Sequence, residues 1–183
     1  MQFEHAFEVP LAPDPAWALL LDIERIATCI PGAELTEVVD ERTYKGKVAV
    51  RIGPVALSFL GQATFESIDV EARAARVRAV GTDTKGRGGT TAVFDFSLAP
   101  AGEGTRVSIR SDVTLTGAVA QYGRGAGMIS SVAGQIIGRF GDCLRERILH
   151  AQAGGDPADA AAAKPVSAIP LLARALRDTL QKK

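Results

Sequence analysis

The chain has 183 residues, 46% of them apolar, with 21 basic and 21 acidic side chains that cancel at pH 7. This length makes one domain with a core of its own, which needs neither a disulfide nor a structural metal, and the balanced charge supplies no basic field to draw it to nucleic acid. Cys29 and Cys143 stand far apart, with no Cys-x-x-Cys and no histidine beside either, so they exclude the usual zinc spacings and read as cytosolic thiols.

Phe3, His5, Phe7 and Val9 alternate with polar neighbours and predict a first strand. Asp14 and Pro15 then open a short helix, Asp14 as its N-cap and Pro15 at its first position, with Trp17, Leu20 and Leu21 on the buried side. A second short helix, over residues 22–29, stops at Ile30-Pro31-Gly32. Strands follow in succession. Tyr44, Val48, Val50 and Ile52 alternate with lysines and an arginine, and Gly53-Pro54 turns the chain into Val55, Leu57, Phe59, Ala63 and Phe65. Val77 and Ala79, then Ala92, Phe94, Phe96 and Leu98, then Val107, Ile109, Val113 and Leu115 continue the pattern. Each strand is wet on one side, as in an antiparallel sheet with a single covered face.

The cover comes from residues 118–151, where Ile129, Val132, Ile136, Phe140, Leu144 and Ile148 recur at spacings of three or four and predict one long amphipathic helix. The order is therefore strand, two short helices, a run of strands, long helix. A curved antiparallel sheet of six to seven strands wrapped around the C-terminal helix, an α+β arrangement, satisfies it with short connections. Residues 1–152 form this body. Residues 153–165, small and polar, read as a flexible linker, and residues 166–183 as a terminal helix.

This order, with Trp17 after Asp14-Pro15, the Ile30-Pro31-Gly32-Ala33 turn and Gly53-Pro54 between strands, resembles the G-subunit family of carbon monoxide dehydrogenase, within the START/polyketide-cyclase-like helix-grip superfamily (SRPBCC). The likeness runs over residues 2–150. The motif residues shape backbone and carry no chemistry. The resemblance implies an accessory protein that helps a molybdenum-hydroxylase-type oxidoreductase reach the cytoplasmic membrane, and a cavity between sheet and helix for an apolar small molecule. Some members of the superfamily are cyclases or hydrolases, so an enzyme reading has to be weighed on this chain's own residues.

Catalytic groups are scarce. His150 falls at the end of the long helix, where an imidazolium suits the helix C-terminus. His5 alternates onto the apolar face of the first strand; it reads either as a buried histidine bonded to a backbone carbonyl or as a polar group that orients a ligand. No acid–base partner for it is evident. Glu66, Asp69, Glu71 and Asp95 fall on the polar side of strands or in turns, and Asp22 and Glu24 suit helix capping. The stretch from Gly81 to Gly89 lacks the helix that a phosphate loop needs and reads as a hairpin. Gly123-Arg124-Gly125-Ala126-Gly127 misses the dinucleotide pattern. These residues predict no enzyme, no metal and no covalent cofactor.

Gly123, Gly127, Gly134, Gly138 and Gly141 fall on one side of the long helix, each a cost of about 1 kcal/mol against alanine. Close approach of another backbone, room for a ligand, or compositional drift would each account for them. Inward positions include Gly46, Gly61, Ala63, Ala79, Gly81, Ala92 and Ser111, too little bulk to fill a core to native density. An apolar cavity is therefore expected, occupied by a quinone-like or lipid-like molecule. Its predicted lining is Phe7, Trp17, Leu20, Ile30, Val50, Leu57, Phe59, Val77, Phe94, Phe96, Ile109, Tyr122, Met128 and Ile129. In the tail, Ile169, Leu172, Leu176 and Leu180 recur at helical spacing with Arg174 and Arg177 beside them, a basic amphipathic helix too short to cross a bilayer. It suits either peripheral contact with the inner face of the cytoplasmic membrane or docking on a partner or on its own body. The expected role is a cytoplasmic, non-enzymatic carrier that serves a redox enzyme at the membrane. A recruitment factor with a filled core, or a cyclase- or hydrolase-like enzyme, are the alternatives.

Overall fold

The structure, a computed structural model, describes residues 1–124 and 126–154. Strand β1 (Gln2–Val9) leads into helix α1 (Pro13–Leu21), helix α2 (Ile23–Ile26) and a 3-10 turn (Ala27–Cys29). Six strands follow: β2 (Ala33–Asp40), β3 (Thr43–Ile52), β4 (Val55–Asp69), β5 (Ala74–Asp83), β6 (Gly88–Ala101) and β7 (Gly104–Gly117). A 3-10 segment (Ala118–Arg124) then precedes helix α3 (Ala126–Gln152). The seven strands form one antiparallel sheet in the order β1-β7-β6-β5-β4-β3-β2.

Alternation sets the two faces. Along β7, Thr105 and Val107 are buried while Arg106 and Arg110 point to water. Ion pairs cross the outer face: Glu4 pairs with Arg110 on β7 and Asp95 on β6 with Arg76 on β5, at 2.9 and 2.6 Å. The sheet bends at glycines. A β-carbon on Gly46 would stand 2.7 Å from the Glu34 carbonyl oxygen, and one on Gly61 would run into the backbone of Val80, so only glycine lets these strands approach as they do.

Helix α3 crosses the inner face against β1. Gly141 lies over Phe7, whose ring would be 2.8 Å from an added β-carbon, and Phe140 meets the same ring edge-on at 5.7 Å. The glycine stripe thus divides. Gly134 and Gly141 take side chains of β1, whereas β-carbons on Gly127 and Gly138 would meet nothing within 4 Å.

Several expectations need correction. Helix α1 begins at Pro13, one residue before Asp14, and its N-cap is Ala12 with no side-chain bond. Both prolines suit a first turn, and the earlier one takes the start; Asp14 instead pairs with Arg73 at 2.6 Å. Asp22 does cap α2, accepting from the Arg25 N–H at 3.2 Å. The long helix starts at Ala126, eight residues later than the expected start at residue 118, because Gly123 and Gly125 are poor helix formers and the chain before them takes a 3-10 path. Strand β2 leaves no clear mark in the sequence, since two register shifts, between Leu35 and Glu37 and between Val38 and Asp40, break its alternation. The cysteines are not free thiols: Cys29 and Cys143 form a disulfide that ties the 3-10 turn to α3. Their separation in sequence hides a proximity that only the packing of α3 on the short helices creates. The linker beyond Gly154 and the predicted terminal helix lie outside the described residues.

Candidate ligand-binding face

The apolar interior is two clusters. One joins Phe7, Trp17, Leu20, Phe65, Leu98, Val107, Leu144 and the disulfide beneath the short helices. The other joins Phe3, Ile52, Leu57, Phe59, Val119 and Ile129 at the far end of the sheet. Between them the sheet presents two cross-strand rows of the smallest residues. Ala63, Ala79 and Ala92 stand side by side on β4, β5 and β6, and Gly46, Gly61 and Gly81 on β3, β4 and β5. Alanine and glycine add little apolar bulk here, and the large side chains gather in two separate clusters on either side.

Ser111 edges this belt, diagonal to Ala92 across the β6–β7 pair, and other buried polar atoms stand on the same side of the sheet. Ser111 on β7 is 2% exposed and its hydroxyl has no hydrogen-bond partner; His5 Nδ1 is likewise buried and unpartnered. Ser111 lies two residues along β7 from Ile109, the register partner of His5, so the two side chains are diagonal neighbours on one face, roughly 7 Å apart. They do not bond to each other. His5 turns Nε2 toward Gly134 on α3. An unpartnered buried hydroxyl is destabilising, and a ligand oxygen or a water at this place would satisfy it. Trp17 Nε1 is a third unpartnered atom, its ring 5.9 Å from that of Phe96.

The predicted lining residues divide by position. Phe7, Trp17 and Leu20 pack in the first cluster, and Leu57, Phe59 and Ile129 in the second. Ile30, Val50, Val77, Phe94, Phe96, Ile109 and Tyr122 are half-buried, the sheet residues among them flanking the belt. Met128 is 52% exposed and lies over the β3–β4 turn rather than the inner face. Ile169, Leu172, Arg174, Leu176, Arg177 and Leu180 fall outside the described residues. Ser111 reads in sequence only as a small inward residue; its signal is the polar break in the series Val107, Ile109, Ser111, Val113, Leu115.

Two grooves lie elsewhere. One of about 810 Å³ runs over the outer face among Glu4, Arg76, Asp95 and Arg110, and one of about 430 Å³ flanks the β5–β6 hairpin. Neither is the interior that composition predicts. In the first, Arg76 holds the Asp95 carboxyl below the usual carboxylate range. Most carboxylates sit as expected, exposed or ion-paired, but Asp83 is fully buried at the end of β5, gripped by Arg87 through two bonds of 2.8 Å and by the N–H groups of Lys85 and Arg87. That guanidinium and burial oppose each other, and the guanidinium prevails: the Asp83 carboxyl is held well below its ordinary range. Among the described residues no group of three or more His, Cys, Asp or Glu is placed to hold a metal, and no helix is long and apolar enough to cross a membrane.

A curved seven-stranded antiparallel sheet closed by a long C-terminal helix, with two short helices after the first strand, defines a helix-grip protein. The model of the carbon monoxide dehydrogenase G-subunit (CoxG) family matches residues 6–149, and the chain belongs to that family. Similar folds occur in a conserved protein from Geobacillus kaustophilus (TM-score 0.71, 22% identity, 82% of this chain and 97% of that one). They also occur in an aromatase/cyclase from Streptomyces sp. R1128 (TM-score 0.60, 16% identity, 85% and 99%). A norcoclaurine synthase from Thalictrum flavum is a third (TM-score 0.58, 13% identity, 83% and 96%). No curated protein matches the chain.

Proposed function

We propose that this chain is a non-enzymatic carrier. It holds an apolar molecule with a small polar head, quinone-like or lipid-like, between sheet and α3, and serves a molybdenum-hydroxylase-type oxidoreductase at the membrane. The observation that carries the reading is the belt of glycine and alanine between two apolar clusters, with Ser111 Oγ unpartnered diagonal to Ala92 at its edge and His5 Nδ1 unpartnered on β1, two strands beyond β6. Apolar walls take the body of such a ligand and the hydroxyl and imidazole take its oxygen. Family membership supports the client enzyme. A cyclase or hydrolase would need an activated nucleophile or an acid–base pair, and Ser111 and His5 share no hydrogen bond.

Residues 166–183 supply the membrane contact at the inner face of the cytoplasmic membrane. Disulfides are rare in reducing compartments, but this one is sealed in the core, with Cys29 at 0% and Cys143 at 8% exposure, where glutathione has no access. The test is organic extraction of the purified protein followed by mass spectrometry. A co-purified prenyl or acyl molecule is expected. Recovery of nothing hydrophobic, together with no uptake of added quinone or lipid, would overturn carriage and leave recruitment alone.

A further inference from the structure

The two ends of the fold differ in charge although the chain as a whole carries none. At the end capped by the short helices, the β2–β3 turn holds Asp40 and Glu41 beside Arg42, the β4–β5 side Asp69 and Glu71 beside Arg73, which is paired with Asp14, and the β6–β7 turn Glu103, so that exposed acids outnumber the arginines there. The other end is built from stretches without acids: none occurs between Glu41 and Glu66, which span the β3–β4 turn, or between Asp112 and Asp142, which span the start of α3. Asp83, in the β5–β6 hairpin, is cancelled by Arg87. Arg51 and Lys85 stand exposed there with no ion pair among the described residues.

Apolar groups protrude at this same end. Met128 is 52% exposed at the start of α3, with its sulfur 3.7 Å from where a β-carbon on Gly53 would lie. Pro54, next in the β3–β4 turn, is exposed as well. Arg87 ties the neighbouring segments together, donating from Nη2 to the Ala56 carbonyl at 3.2 Å and accepting the Val119 N–H on its own carbonyl at 3.1 Å.

We infer that this end of the body docks on an anionic lipid surface, Pro54 and Met128 entering the headgroup layer and Arg51 and Lys85 meeting its phosphates. A bilayer fits better than a protein partner. The apolar groups project singly from the start of a helix and from a turn, whereas a stable protein interface covers a surface of roughly 800 Å² on each side. The acidic opposite end is repelled by the same surface, which fixes the orientation. This contact is separate from residues 166–183 and independent of what the inner face holds.

The test uses the full chain with its native disulfide and one added cysteine, Pro54→Cys or Glu71→Cys, carrying an environment-sensitive NBD label. Vesicles are phosphatidylcholine alone or mixed equally with phosphatidylglycerol. The label at position 54 should brighten and shift to the blue on the mixed vesicles, and the label at position 71 should not. Each cation at an anionic surface is worth about five-fold in binding (~1 kcal/mol). R51E with K85E should therefore weaken binding at least ten-fold and remove the shift at 54. M128D should reduce that shift while the melting temperature holds. A shift at 71, no shift at 54, or a shift at 54 that survives R51E/K85E overturns the inference; an end that served an acidic protein instead would give no shift on vesicles. The extraction experiment is blind to all of these results, so the two readings fail separately.

Discussion

His5 on β1 and Gly134 on α3 meet across the sheet–helix interface, with His5 Nε2 3.1 Å from where a β-carbon on Gly134 would lie. Seven residues on, Gly141 stands over Phe7, two residues further along β1. Seven helical residues rise roughly 10.5 Å and two strand residues roughly 7 Å, so α3 crosses β1 obliquely and meets it closely at both glycines. Gly141→Ala should destabilise the fold by about 1–3 kcal/mol, because its methyl would meet the Phe7 ring at 2.8 Å. Gly138→Ala, open on all sides, should stabilise it by up to about 1 kcal/mol. Urea denaturation of the two variants checks the contrast, and equal effects would show that the approach is not that close.

The belt makes the strongest claim on ligand binding. Ala79→Leu places bulk in the middle of the alanine row, where it can bridge the two clusters. The variant should fold with unchanged or raised stability and lose its co-purified apolar molecule. Ser111→Ala should keep the fold and weaken ligand retention several-fold, since one hydrogen bond is worth about 0.5–1.5 kcal/mol. If Ala79→Leu retains the ligand in full, the belt is not where it sits.

Reduction of the Cys29–Cys143 disulfide releases a constraint across 114 positions. By chain entropy such a loop is worth about 4–5 kcal/mol. Cys29→Ser with Cys143→Ser should lower the melting temperature by many degrees, and alkylation of the denatured chain should find no free thiol before reduction and two after it. Full alkylation of the unreduced, denatured chain would refute the bond.

Asp83 links stability to acid. Its carboxyl is held below the ordinary value by Arg87, so its contribution is complete above the unfolded carboxylate range near pH 4 and fades as pH falls toward the folded value. Asp83→Asn removes that dependence. Urea midpoints taken at pH 7, 4 and 2.5 should fall more steeply for the wild type than for the variant below pH 4. Parallel curves would mean that Arg87 does not select the charged form.

Much of this architecture is written locally. Alternation places Phe3, His5 and Phe7 on one face and Glu4 and Glu8 on the other, since a strand has a period of two. The spacing from Ile129 to Ile148 marks the helix that covers that face. Where two local signals compete the boundaries move, as at Pro13 against Pro15 and at the glycines before Ala126. Strand β2 escapes because its bulges erase the period that a reader looks for.

The sequence by itself determined an antiparallel sheet with one apolar face and a long helix to cover it, and its small inward residues raised the expectation of a cavity between them. These follow from side-chain size and periodicity, which are properties of neighbours in the chain. Only the tertiary structure decided that Cys29 meets Cys143, that Gly134 and Gly141 receive His5 and Phe7, that Ser111 sits unpartnered beside a belt of alanine and glycine, and that Asp83 lies buried against Arg87. Most of these pairings depend on the angle at which α3 and the sheet cross, and an angle between distant segments leaves no period in either one.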